Sequence, residues 1–345
     1  MALERKYHID IIKIFAIFMV IYNHTGDYGF LAYQQEGPVL VQMMQMIPSI
    51  VCKTAVPLFY MCTGALLLGK VESLKELWKN RVLKYALVLV GFSLLYYVFL
   101  SLRNGTPMHF RWLLKIIYET TTFSYSGAYW FLYSYIGFLI MLPFLRSIAR
   151  HLDKEQMIYM IIINTFVRGI LPVVEIMFHL ESFALEMVLI TADVFFYPFL
   201  GYYIEKCTYE EVCNKRSLWG LFGLAVLSVV VSGFFTFYYL YSEQPTQACL
   251  TMFGLYLVMF IYVVCKWICH QLNLNGKVAR FITVAGGCSF GVYLIHGFIY
   301  TLLDDYIFNM GISMSYGVAW IRAILVFVVG TIIVWIYKRI RAFIK

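Results

Sequence analysis

The sequence is poor in charge. Only 13% of its 345 residues are Asp, Glu, Lys or Arg, whereas 62% are hydrophobic, and soluble domains carry about 25% charged residues. The mean hydropathy of +0.76 points the same way, which excludes a cytosolic enzyme and a nucleic-acid-binding module. The net charge of +8 does not indicate nucleic-acid binding either, because the basic residues fall in short clusters between apolar runs, as in membrane proteins.

The sequence also lacks the cysteine pattern of a secreted disulfide scaffold or of a zinc site. Six of its eight cysteines lie within apolar runs: Cys52, Cys62, Cys249, Cys265, Cys269 and Cys288. A cysteine in such a run is usually a small hydrophobic residue. The group Cys265-x-x-x-Cys269-His270 has no second ligand pair, and we expect no metal.

Long apolar runs are abundant, and they predict an all-α, polytopic membrane bundle of about ten transmembrane helices. The predicted spans are 9–29, 38–69 (with a break at Pro48 or Pro57), 83–102, 126–146, 155–171, 183–204, 217–241, 247–270, 281–303 and 315–337. Ten spans of roughly 21 residues use about 210 residues. We therefore expect residues 1–345 to form a single membrane-embedded domain without an appended soluble domain.

The distribution of basic residues predicts the orientation. Of the 27 lysines and arginines, four fall on one side of the predicted membrane, three fall within spans and the other twenty fall on the side of both termini. Cytoplasmic loops are rich in Lys and Arg. We therefore expect both termini to be cytoplasmic.

The three intramembrane cations, Lys13, Lys53 and Arg322, mark a candidate site, because ionisable groups in hydrocarbon are costly. Lys13 and His24 lie within roughly 20° of one helix face and about 16 Å apart along the axis. Asp10 is three residues before Lys13 and can pair with it.

Counting residues from the inner end of each span predicts a shared depth for five side chains. They lie roughly 22–24 Å from the cytoplasmic face, and they are His24, Lys53, Trp130, His296 and Arg322. Asp193 lies nearer the midplane. The pattern predicts a polar chamber in the outer half of the bundle.

Histidines beside cations suit acyl transfer, in which one group removes a hydroxyl proton and positive groups stabilise the oxyanion. The carboxylate pair of a glycosidase is missing at this depth. A transporter also places charges near the midplane, and the residues alone leave the two alternatives open.

Four stretches resemble the acyltransferase-3 family of integral membrane acyltransferases. They run from His8 to Lys13, followed after ten intervening residues by His24, from Lys53 to Gly64, from Trp130 to Arg146 and from Ser289 to His296. The resemblance covers most of the chain and implies transfer of an acyl group, acetyl being the simplest, from cytoplasmic acyl-CoA to a cell-surface or lipid-linked carbohydrate. Acyl-CoA is then a co-substrate, no cofactor is permanently bound, and the protein lies in the cell membrane.

The shared depth and the resemblance together predict roles for single residues. His24 is the general base or acyl carrier, Lys53 and Arg322 hold the oxyanion, and His296 orients the acceptor or relays its proton. The donor meets Asp10, Lys13, Arg81 and Lys84, and the acceptor meets Trp130, Tyr133, Arg322 and Asp193.

Each of these roles has an alternative. Lys13 and Lys84 stand where the family usually has Arg, so they bind phosphate only as point charges. Arg81 and Lys84 also fit the ordinary basic bias of cytoplasmic loops. Trp130 and Tyr133 also fit an aromatic belt at the membrane interface. His296 and Arg322 could instead form bonds between helices. Export of a small solute, such as an amino acid, or of a polysaccharide is the alternative function.

Overall fold

The computed structural model describes residues 5–105, 110–119, 129–178, 180, 191–240, 246–272 and 274–344. Within these ranges the chain is helical and contains no strand. Eight helices are long and apolar enough to cross a membrane. The predicted all-α polytopic architecture is confirmed, whereas the orientation of the termini stays a prediction.

The helices follow one another in a simple order. They are α1 (Tyr7–Asn23), α2 (Val39–Cys52), α3 (Ala55–Leu67), α4 (Leu74–Asn104), α5 (Phe110–Glu119), α6 (Trp130–His151), α7 (Lys154–Phe178), α8 (Asp193–Lys206), α9 (Tyr209–Val212), α10 (Lys215–Leu240), α11 (Gly254–Leu272), α12 (Gly276–Asn309) and α13 (Tyr316–Ile344).

Two predicted spans are not among the eight membrane-length helices. Helix α1 has 17 residues, at the short end of the range of about 17–25 that spans a bilayer. Helix α8 has 14 residues, and the first part of its predicted span, 183–204, falls largely on residues outside the described ranges. Helices α2 and α3 together form one membrane-length segment, Val39–Leu67.

The break in that segment lies at Lys53–Thr54, just before Pro57. Proline has no N–H to donate to the carbonyl four residues earlier, and its ring crowds that carbonyl. Lys53 is the residue affected. Of the two predicted positions, Pro57 is therefore the cause, whereas Pro48 lies inside α2.

The chain divides into two compact units. One comprises Met1–Leu66 and Leu152–Lys345, and the other comprises Leu67–His151. In the first unit, α1 packs against α2, α11, α12 and α13, and this face buries Ile12, Ala16, Ile17 and Ile21. The second unit holds α4, α5 and α6. A single domain over residues 1–345 stays a prediction.

Helices α3 and α8 approach closely through two glycines. A Cβ atom on Gly64 would lie 1.9 Å from the Pro198 carbonyl oxygen, and one on Gly201 would lie 2.2 Å from the Met61 carbonyl oxygen. Small residues allow backbones to meet in this way in membrane bundles. This contact fixes α8 beside the segment that follows Lys53.

Candidate active site

His24 directly follows α1, where the chain turns back. The Thr25 hydroxyl donates to the Tyr22 carbonyl at 2.6 Å and accepts from the Phe30 N–H at 2.8 Å. Gly29 allows this turn, because a Cβ atom there would lie 1.9 Å from the Thr25 hydroxyl oxygen. The His24 side chain is exposed and makes no hydrogen bond within the described ranges.

His296 lies on α12 and is buried, with 1% of its surface exposed. Its Nδ1 lies 2.6 Å from the Tyr293 carbonyl oxygen. A carbonyl oxygen only accepts, so Nδ1 carries the proton and Nε2 of the neutral ring holds a lone pair. The rings of His24 and His296 lie 5.2 Å apart between centroids. The structure therefore brings the two predicted histidines together.

Below this pair along α1, Lys13 and Asp10 form the predicted ion pair. Lys13 Nζ lies 3.8 Å from Asp10 Oδ1. Asp10 also accepts a hydrogen bond of 2.9 Å from the Arg5 Nε, a partner that the sequence did not indicate. Asp10 is buried, and its approach to α12 requires Gly286, where a Cβ atom would lie 2.6 Å from the Asp10 Cβ.

The Arg322 side chain is bound to a residue other than the two histidines. Its guanidinium forms an ion pair with Asp304 across α12 and α13 and lies over the Tyr300 ring, 5.3 Å from its centroid. It makes no hydrogen bond to His24 or His296 in the described part of the chain. Arg322 therefore forms a bond between two helices, which is the alternative to a role in holding the oxyanion.

Lys53 and Asp193 line a common cavity. Lys53 Nζ lies 4.7 Å from the centroid of the Phe30 ring, and both Lys53 and Asp193 border a space of about 90 Å³ between α2, α3, α7, α8 and α11. Lys53, like Arg322, is not hydrogen-bonded to either histidine among the described residues. The structure places it with Asp193 and with Arg168, a residue that the sequence did not single out.

Arg81, in the second unit, is bound to a carboxylate. Its guanidinium donates to both carboxylate oxygens of Glu72, at 2.8 and 3.0 Å, and Arg146 donates to the same group at 2.9 Å. The Arg81 hydrogen bonds are the main cause that lowers the pKa of the Glu72 carboxyl. Arg81 thus has less charge to offer a donor phosphate than predicted, whereas Lys84 is exposed.

The predicted acceptor residues Trp130 and Tyr133 lie in the first turn of α6. Trp130 is exposed by 53%, and Tyr133 is half-buried. Both belong to the second unit, so a depth shared with His24 stays a prediction.

The family described as "Acyltransferase domain" matches residues 6–339. The chain belongs to this acyltransferase family. A relative, the amino-acid racemase of Enterococcus faecalis, is 37% identical over 153 residues, which are 42% of this chain and 20% of the relative. The match thus spans about a fifth of that relative's length. No solved structure matches the chain.

In this acyltransferase-family protein, Glu205 is the centre of a charged cluster that the sequence did not predict. The carboxylate of Glu205 is bonded to His8 Nε2 at 2.8 Å, to the Tyr262 hydroxyl at 3.2 Å and to Lys6 Nζ at 2.5 Å, and Lys266 Nζ lies 3.6 Å away. Its side chain is 6% exposed. Glu205 directly follows the predicted span 183–204, a position typical of a loop residue, so no sequence signal singled it out.

The sequence Gly287–Gly291 has the Gly-x-Ser-x-Gly spacing of serine hydrolases, with Ser289 at its centre. That motif requires a sharp turn between a strand and a helix to expose the hydroxyl. Here it lies inside the continuous helix α12, and Ser289 is buried. Ser289 therefore does not form a nucleophile elbow.

Proposed function

We propose that this protein is an acyltransferase of the cell membrane that moves an acyl group from cytoplasmic acyl-CoA to a hydroxyl of a cell-surface or lipid-linked carbohydrate. Acetyl is the simplest acyl group. The observation that carries the proposal is the contact between His24 and His296, in a chain of an acyltransferase family. One histidine is exposed to a substrate, and its neighbour is held in a single tautomer.

The chemistry assigned to the pair is general base catalysis. His24 takes the proton of the acceptor hydroxyl while the hydroxyl oxygen attacks the thioester carbonyl carbon. The carbon–sulfur bond then breaks, the coenzyme leaves as a thiolate, and the proton passes from His24 to that sulfur. A positioned base contributes about 10²–10⁴-fold to rate.

His296 acts as the positioning residue of the pair. Its Nδ1 proton is committed to the Tyr293 carbonyl, so its ring is fixed, and its Nε2 is available to accept a hydrogen bond from the acceptor or from His24. We leave Lys53 and Arg322 out of the oxyanion site because neither is bonded to the pair and Arg322 is paired with Asp304.

We assign two basic side chains, each within its own unit, to contacts with the donor: Lys13 of α1 and Lys84 of α4. Lys13 lies on the His24 helix, about 16 Å below it along the axis, a length suited to an extended acyl-pantetheine arm. Lys84 offers a point charge to a phosphate. On the acceptor side, the exposed face of Trp130 suits the apolar face of a sugar ring.

The proposal is tested with purified protein in liposomes, with acetyl-CoA labelled in its acetyl group inside and a carbohydrate acceptor outside. Label on the acceptor, lost in His24→Ala, supports acyl transfer. Analysis of surface carbohydrates in a deletion strain identifies the acceptor, since a missing acyl ester names both the sugar and the acyl group. Label that never reaches any acceptor contradicts the proposal.

Transport of a small solute is the second candidate. The name of the Enterococcus faecalis relative concerns amino acids, which favours an amino acid as the solute. The two candidates differ in their readout: a transporter moves labelled solute across the liposome membrane and consumes no acyl-CoA.

A further inference from the structure

The cavity beside Lys53 has polar groups from several separate elements. It is lined by Lys53 at the α2–α3 break, by Asn164 and Arg168 of α7, by Asp193 at the start of α8 and by six residues within 250–258. A volume of about 90 Å³ is well above the roughly 10–15 Å³ that a single water molecule needs. The cavity therefore has room for a small molecule.

The charged side chains around the cavity make no direct bonds to one another in the described part of the chain. Within the described ranges, Lys53, Arg168 and Asp193 form no ion pair and no side-chain hydrogen bond. The side chain of Asn164, which is 2% exposed, is equally without a hydrogen-bond partner there. Lys53 and Asp193 are half-buried, Asn164 is buried and Arg168 is exposed. A buried or half-buried polar group without a partner costs free energy, and a bound molecule with complementary charges would offset that cost at Lys53, Asn164 and Asp193.

The backbone around the cavity departs from regular geometry at two points. Arg168 lies on a π-helical turn, Phe166–Ile170, inside α7, and Phe253 has a φ of 53°, a conformation that L side chains rarely adopt. The Phe253 N–H donates to the Arg168 carbonyl at 3.4 Å. Both features are unfavourable in isolation and are concentrated at functional sites.

We propose that this cavity binds a free α-amino acid of about the size of glycine, alanine or serine. The carboxylate of the ligand lies between Lys53 and Arg168, and its ammonium faces Asp193. Two cations and one carboxylate match the two charges of a zwitterion and exclude a plain sugar or a lone amine. The proposal does not depend on acyl transfer by His24, because none of the four residues is bonded to either histidine.

The experiment measures equilibrium binding of labelled glycine, L-alanine and L-serine to the full-length protein in detergent. Lactate, which has a hydroxyl in place of the ammonium of alanine, and ethylamine, which lacks the carboxylate, are the competitors. We expect saturable binding of at least one amino acid, with both competitors at least about tenfold weaker.

Asp193→Asn should remove the preference for alanine over lactate, and Arg168→Gln should weaken both. Arg216→Gln, at an exposed arginine on α10, is the matched control and should bind like the parent protein. His24→Ala should also bind normally, so loss of acyl transfer and loss of this site are distinguishable.

Absence of saturable binding for all three amino acids up to about 10 mM, in protein with a cooperative thermal transition, overturns the proposal. So does lactate binding as tightly as alanine. These comparisons use the unmodified chain, so they decide the outcome even if a variant fails to fold.

Discussion

The imidazole rings of His24 and His296 lie 5.2 Å apart with an angle of 40° between their planes. The first follows the end of α1, where the chain turns, and the second is buried in the middle of α12. Helix α1 packs along α12, and this contact aligns the two residues. The exposure of one ring and the fixed tautomer of the other give them different roles.

Replacing His24 by Ala should lower acyl transfer by about 10²–10⁴-fold, because the proton of the acceptor hydroxyl loses its base. Donor binding should persist. The measurement is turnover in liposomes together with coenzyme binding in detergent. His151→Ala is the matched control, since His151 is exposed and, among the residues that the structure describes, its side chain bonds only to the Ser147 carbonyl of its own helix. Equal activity of the parent and the His24 variant would contradict the assignment.

The double variant His24→Ala/His296→Ala should be about as slow as His24→Ala alone. Residues that act as one unit are non-additive, because the second loss removes nothing that the first has left working. Turnover of the two single variants and the double variant gives the coupling. If the fold-losses of turnover in the two single variants multiply in the double variant, the histidines act independently.

Glu72→Gln should destabilise the second unit at neutral pH by roughly 1–3 kcal/mol, as expected for charged hydrogen bonds. Because its partners lower the pKa of Glu72 below the ordinary value of 4.5, its contribution is complete above that value and is lost as the pH falls below it. Thermal unfolding of parent and variant at neutral and acidic pH measures this. If the stability difference between parent and variant stays constant from pH 7 to about pH 3, the assigned contribution of the Glu72 carboxylate is refuted.

Glu205→Gln should destabilise the first unit by about 3–5 kcal/mol, since it leaves Lys6 and Lys266 without the buried carboxylate between them. Denaturation in detergent measures the loss. Glu210→Gln serves as the control, because Glu210 is exposed. Its backbone carbonyl accepts a hydrogen bond from Asn214, and its side chain makes none within the described ranges. Similar stability of the two variants would show that the Glu205 cluster contributes no net stability.

Gly201→Ala should lower stability clearly, because the new methyl group would collide with the Met61 backbone, which cannot move without shifting α3. Gly220→Ala meets open space and should be neutral or stabilise by up to about 1 kcal/mol, as alanine favours a helix. Thermal unfolding of both variants gives the comparison. If Gly201→Ala were as stable as Gly220→Ala, the close approach of α3 and α8 would be wrong.

The sequence by itself determined the architecture and the identity of the unusual residues. Apolar runs require helices in a bilayer because no water satisfies the backbone there, and the prolines at positions 48 and 57 predicted a break in the second span. The 3.6-residue period also placed Asp10 beside Lys13, since residues three apart share a helix face. These effects are local and can be read along one helix.

Only the tertiary structure decided which polar residues meet. Residue counts gave His24, Lys53, His296 and Arg322 a similar depth, but depth does not fix the direction in which each helix face points. Helix packing brought the histidines together, paired Arg322 with Asp304 and placed Lys53 on a cavity with Arg168 and Asp193. Partners from distant parts of the chain, such as Glu205 with His8, depend on the rotation of each helix about its axis, which no single helix encodes.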